Sequence, residues 1–198
     1  MDYDTLLHIE TNGTNHQFPT IRHYHRYEPT SYDDLLTLSS QLQPFIRKND
    51  RLVDFGSGLM RVPIFMNYRF DIDTAGIELN KALYMDGMKN IRSYEMHHQA
   101  AGRVHAFNQN VTDYRFTGRE TILFFFNPFS ADIFKSVLHQ FLTHAAYNTR
   151  VLVILYYAKS DYIDVINQLN LFTEISRIPL SGYPDDKNDL MIIYQFGS

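Results

Sequence analysis

The chain has 198 residues, 44% of them hydrophobic and 15% aromatic, enough for the complete core of one α/β domain and too few for a second full one. Its 18 Lys and Arg against 22 Asp and Glu leave a net charge of −4, without the basic excess that duplex nucleic acid draws on, although a local basic patch stays open. The absence of cysteine excludes disulfides, thiol nucleophiles and thiolate metal sites, and the acidic start Met1-Asp2-Tyr3-Asp4 leads into no long apolar run, so neither a secretory signal nor a membrane span is expected and a cytoplasmic location follows.

Residues 1–29, polar and rich in His, Asn and Tyr, are expected to be an extended or partly ordered lead segment to a domain over 30–198. Ser31 has the chemistry of a helix cap. Leu35, Leu38, Leu42 and Phe45, with Leu36 and Ile46 beside them, predict an amphipathic helix over 31–47. A turn at Asn49-Asp50 leads to a first strand, Leu52 to Phe55, and a helix over 60–68. The second strand is Thr74 to Leu79, after which Asn80 caps a helix from Lys81 to about Tyr94; Met96 to Arg103 is ambiguous. A third strand covers Val104 to Phe107, with little room for a helix after it. Thr121 to Phe126 and Arg150 to Tyr157 are the continuous apolar runs of parallel strands covered on both faces, and Ile133, Phe134, Val137, Leu138, Phe141 and Leu142 describe a helix between them. A further helix over 160–170 precedes β-rich segments at 172–178 and 189–196. Their separation, with Pro179, Gly182 and Pro184, is too short for a crossover, so they are expected to pair antiparallel.

Chemistry concentrates where the first strand ends, in Asp54-Phe55-Gly56-Ser57-Gly58. A glycine turn between strand and helix leaves backbone N–H groups free at the strand's carboxyl end, where open α/β sheets bind ligands. Asp54, just ahead of the glycines, would repel a pyrophosphate but suits the cationic methionine end of S-adenosylmethionine. Such turns also occur without ligands, so the bland reading stays open. Glu78, 24 positions later at the end of the second strand, is placed to accept ribose hydroxyls; otherwise it is a solvated strand-end acid.

These residues resemble the class I S-adenosylmethionine-dependent methyltransferases over about 28–196. The resemblance implies a Rossmann-like domain with a seven-stranded, mostly parallel sheet of order 3-2-1-4-5-7-6, ending in an antiparallel hairpin, with helices on both faces. It implies that Asp54, Gly56, Ser57, Gly58 and Glu78 hold S-adenosylmethionine, and that Asn110, where an aspartate is more usual, meets the adenine; a bare Asn110 is equally a turn former. Asn127-Pro128-Phe129 is similar to the Asn/Asp-Pro-Pro-aromatic motif of nitrogen-directed enzymes, with one proline missing. Asn127, or the carbonyl after it, would accept an N–H and aim the nitrogen lone pair at the methyl, with Phe129 packing on substrate. Alternatively Pro128 ends the strand and Ser130 caps the next helix. No residue is an obvious general base, which leaves most of the catalysis to positioning.

Tyr27-Glu28-Pro29-Thr30-Ser31-Tyr32 resembles the segment that closes over the donor in the non-SET histone-lysine methyltransferases, implying contacts from Glu28, Thr30 and Tyr32. It is also an ordinary helix entry. Met60 stands where the class has a third glycine and is expected to narrow the pocket or push the loop outward. With the missing base, it motivates the alternative of a binding domain without turnover; a nicotinamide oxidoreductase is the other alternative, opposed by Asp54 and the final hairpin. Arg61 is either a functional cation beside the loop or a surface one. His23, His25, His97 and His98 lack ligand spacing, so no metal is expected. Arg22, His23, His25 and Arg26, interleaved with tyrosines, either guide an anionic substrate or form a solvated arm. The implied partner is a methyl acceptor, with a protein side chain favoured; oligomeric state is not specified.

Overall fold

Seven strands carry the architecture in the computed structural model, which describes residues 2–12, 27–145 and 150–197. They are β1 (Arg51–Phe55), β2 (Asp73–Glu78), β3 (Val104–Asn108), β4 (Ile122–Phe125), β5 (Val151–Tyr156), β6 (Phe172–Pro179) and β7 (Leu190–Phe196). The helices are α1 (Tyr3–Leu7), α2 (Tyr32–Leu42), α3 (Arg61–Phe70), α4 (Lys81–His97), α5 (Ala131–His144) and α6 (Ser160–Leu169), with a 3-10 turn at Val111–Asp113. The sheet order is β3-β2-β1-β4-β5-β7-β6, as expected. Strands β1 to β5 pair in parallel, whereas β7 runs antiparallel to both β5 and β6.

Strand alternation divides the core in two. Leu52, Phe124, Ile154 and Ile193 face one way, under Leu35 and Leu38 of α2, Phe65 of α3 and Ile91 of α4. Their neighbours Val53, Phe125, Leu155 and Ile192 face Phe134, Val137 and Leu138 of α5 and Ile166 of α6. Both faces are buried, which explains the unbroken apolar runs of β4 and β5. At the amino ends, Arg150 Nη2 donates to both oxygens of buried Asp50, at 2.8 and 2.9 Å, across the start of β4.

The lead segment is corrected in part. Asp2 caps α1 by accepting from the N–H groups of Asp4 and Thr5, and Leu7 is fully buried in the first core. A single polar turn with few apolar residues gives no periodic signal, so its packing was hidden. The arm Arg22 to Arg26, including His23 and His25, lies outside the described residues. Helix α2 stops at Leu42 rather than at 47, because Pro44 has no N–H to donate and its ring obstructs the preceding turn. Phe45 and Ile46 still pack on the core from beyond the helix end. The ambiguous stretch after Tyr94 resolves into the last turn of α4, ending at His97.

Candidate functional site

The loop after β1 folds back onto β2: the N–H groups of Gly56 and Ser57 both donate to the Ile77 carbonyl, at 2.9 and 3.0 Å. Pro128, after β4, lies over Gly56, where a Cβ would sit only 2.5 Å from the Pro128 Cβ. Met60 adopts φ +70°, the left-handed conformation that a glycine would take there. Contrary to expectation, its side chain does not push outward from the loop but turns inward into the core. It is 1% exposed and runs beneath the loop, with Cγ against Gly87 of α4 and Sδ against Gly76 of β2. A Cβ at position 76 would meet that sulfur at 2.3 Å, and one at position 87 would meet Cγ at 2.9 Å, so two glycines elsewhere make room for the missing one.

Two carboxyl groups flank this loop. Asp54 is 3% exposed and receives no hydrogen bond from a described residue; burial, and then the negative charge of Glu78, push its carboxyl well above its ordinary value. Glu78 accepts from the Gly58 N–H at 2.9 Å and the Asn80 N–H at 2.7 Å, and burial raises it despite those bonds. A buried and a half-buried acid whose carboxyls are both raised form a place where a positive charge is stabilised. The tip of β2 is held by Asn108, opposite Glu78 in the β2–β3 register, whose amide donates to the carbonyls of Glu78 and Leu79 at 2.9 and 3.1 Å. Sequence reading missed Asn108; its register with Glu78 was the available signal. Asn110 caps the 3-10 turn, accepting from the Thr112 N–H at 3.1 Å.

The segment before α2 crosses this carboxyl edge. The Tyr27 ring lies on Gly58, so close that a Cβ there would fall 2.1 Å from Cε2, and its hydroxyl donates to the Thr11 carbonyl. Glu28 is exposed, and its charge reaches Tyr157. Thr30 is buried, its carbonyl accepting from Arg61 Nη1 at 2.8 Å. Arg61 is thus no surface cation. At 5% exposure it also donates to Thr11 Oγ1 at 2.6 Å and to Asn12, lies 3.9 Å from Asp4, and stands 4.5 Å over the Tyr32 ring. Tyr32 donates to Asp4, so it serves this fastening of the lead segment.

Beyond β4, half-buried Asn127 has φ +38°. Phe129 departs from expectation: its ring is 1% exposed, edge-on to Phe125, and its carbonyl accepts from the Tyr162 hydroxyl at 2.7 Å. The ring belongs to the core beneath α5 and α6 and does not face a substrate. Ser130 stands at the start of α5 without a side-chain cap bond. Among the described residues, no group of three or more His, Asp or Glu could hold a metal ion, and no helix is long and apolar enough to cross a membrane.

No protein-family model matches the sequence, and no curated protein matches it significantly. Solved structures do match in fold. The Bacillus subtilis tRNA (m1A22) methyltransferase TrmK is 7% identical, with a TM-score of 0.59, over 81% of this chain and 65% of its own. An RNA methyltransferase from Salinibacter ruber, solved with S-adenosyl-L-homocysteine, is 15% identical with a TM-score of 0.59, over 87% of this chain and 95% of its own. A geranyl diphosphate methyltransferase, in complex with GPP and sinefungin, is 14% identical with a TM-score of 0.61, over 83% of this chain and 77% of its own. The architecture is that of the Rossmann-like, class I methyltransferases.

Proposed function

We propose that this chain is an S-adenosylmethionine-dependent methyltransferase directed at nitrogen. The observation that carries the reading is the pair of carboxyls, buried Asp54 and half-buried Glu78, at neighbouring strand tips around one glycine loop, with the Asp54 carboxyl lacking a hydrogen-bond donor among the described residues. Such an acid fits a cationic ligand and repels a pyrophosphate, which sets the reading against a nicotinamide dinucleotide. In this reading Asp54 and the loop Gly56, Ser57 and Gly58 take the amino-acid end of the donor, Glu78 takes the ribose, and Asn110 takes the adenine. Glu28 and Thr30 belong to the segment that covers it, in keeping with the resemblance to the non-SET enzymes.

When bound, S-adenosylmethionine supplies a methyl group on a sulfonium, already electrophilic. The chain's part is then positioning. Asn127, at the carboxyl end of β4, accepts an N–H of the acceptor and turns its lone pair toward the donor side, while Pro128 fixes that turn against Gly56. The three matched structures are named for tRNA, RNA and geranyl diphosphate, so fold alone does not choose the acceptor. Calorimetry with S-adenosylhomocysteine tests the donor site: Asp54→Ala and Glu78→Ala are each expected to weaken binding about tenfold or more. Wild-type affinity in both variants would overturn the assignment. Transfer of a labelled methyl group to an acceptor then tests turnover.

A further inference from the structure

Asn127 has a counterpart on the next strand. Strands β4 and β5 pair in parallel with Phe125 opposite Leu155, and two residues further along each chain Asn127 and Tyr157 lie just past the strand ends. Both are non-glycine residues with left-handed backbone, φ +38° and +53°. At Tyr157 the effect is readable. Tyr156 packs in the first core, its hydroxyl 2.6 Å from Asp34 of α2, so alternation would send Tyr157 to the opposite face beneath α5 and α6. The left-handed turn brings it back: the Tyr157 ring packs with the same core as Phe126 and Tyr156, and its hydroxyl donates to Asp186 in the loop between β6 and β7. The bond to Asp186, then burial, and lastly the charges of Asp189 and of Glu28 from the crossing segment push the phenol above its ordinary value. A strained backbone that re-aims an aromatic side chain to the carboxyl edge of a parallel sheet marks a functional position.

We propose, resting on the methyl-transfer reading above, that Tyr157 is the second wall of the acceptor site, packing its ring against the acceptor nitrogen opposite Asn127, and that the acceptor is an alkylamine. The acceptor ammonium first gives a proton to water; the freed nitrogen lone pair then forms the N–C bond as the S–C bonding pair passes to sulfur, leaving a neutral thioether and a methylated, positively charged nitrogen. An aromatic face favours that charge, and the Asp186 carboxylate bonded to the Tyr157 hydroxyl favours a cationic product over an anionic acceptor.

The test uses the full chain loaded with S-adenosylhomocysteine, with n-butylammonium as the probe, titrated by calorimetry or ligand-observed magnetic resonance. Saturable binding is expected. Tyr157→Leu, which keeps apolar bulk without an aromatic face, is expected to weaken it about fivefold or more, whereas Tyr157→Phe retains it. S-adenosylhomocysteine affinity is expected to stay at the wild-type value in both variants, while the melting temperature falls by about 1–6 °C with the lost bond to Asp186. No saturable butylammonium binding, equal binding by Tyr157→Leu, or tighter binding of dimethyl phosphate than of butylammonium would each overturn the proposal while leaving the donor site intact. Failure of the wild-type chain to bind S-adenosylhomocysteine would instead remove the methyl-transfer reading on which it rests.

Discussion

The Met60 arrangement can be tested by a double-mutant cycle with Gly87. Met60→Gly removes a buried thioether, a loss of about 2–5 kcal/mol for such truncations. The added backbone freedom of glycine costs about 0.5–1 kcal/mol more, while relief of the left-handed strain at φ +70° returns about 1–2 kcal/mol. The net is a destabilisation of roughly 0.5–5 kcal/mol, centred at about 3 kcal/mol, which for a chain of this size lowers the melting midpoint by roughly 6–12 °C. Gly87→Ala alone sets a Cβ 2.9 Å from Met60 Cγ and 3.2 Å from the Gly58 carbonyl oxygen. That overpacking costs about 1–3 kcal/mol, against about 1 kcal/mol gained from alanine inside a helix. In the Met60→Gly background the closer clash is gone, so Gly87→Ala is expected to become stabilising. Urea unfolding of the four proteins measures the coupling, expected at about 1–2 kcal/mol. Additivity within about 0.5 kcal/mol would refute this packing, as would a Met60→Gly protein more stable than wild type.

Asp54 binds its proton more tightly folded than unfolded, where its ordinary value is 3.8, so its contribution to stability is full below pH 3.8 and drains as pH climbs toward the raised folded value. Asp54→Asn is therefore expected to gain stability relative to wild type as pH rises in urea melts between pH 4 and 8, and a pH-independent difference would count against the burial argument. The cationic amino-acid end of S-adenosylhomocysteine favours the ionised carboxyl of Asp54, so affinity measured by calorimetry is expected to rise with pH more steeply in the wild type than in Asp54→Asn. Arg61→Met leaves Asp4 buried without its cation, an expected loss of about 3–5 kcal/mol, with faster hydrogen exchange over residues 3–11; unchanged exchange there would contradict the fastening role. Asn108→Ala frees the tip of β2 and is expected to weaken S-adenosylhomocysteine about three- to tenfold, the worth of about one hydrogen bond, with little change in melting temperature; full affinity would show that Glu78 needs no such support.

What could be read in the sequence was what burial writes into it. Continuous apolar runs marked β4 and β5, and the short Pro- and Gly-punctuated gap before Leu190 gave the antiparallel ending. Asp54 and Glu78 were legible because an acid at the end of an apolar strand breaks its pattern. Side-chain direction was not. Met60 and Phe129 both sit at motif positions, yet their side chains run into the core, as Gly76 and Gly87 permit for the one and Phe125 and Tyr162 for the other. Arg61 looked like a surface cation because its partners, Asp4, Thr11, Asn12 and Thr30, lie at least thirty residues away in a segment without periodicity. Tyr157 was hidden for another reason: a left-handed turn reverses the strand alternation from which its face would be inferred.

The ion pair at the opposite edge of the sheet ties together strands distant in the chain. Asp50 and Arg150 are 100 residues apart and meet across the start of β4, so their contact forms only when β1, β4 and β5 are all seated. A chain without β5 would leave the Asp50 carboxyl with the Arg47 N–H as its remaining partner among the described residues, so the guanidinium of Arg150 fastens the fifth strand to the first across the fourth.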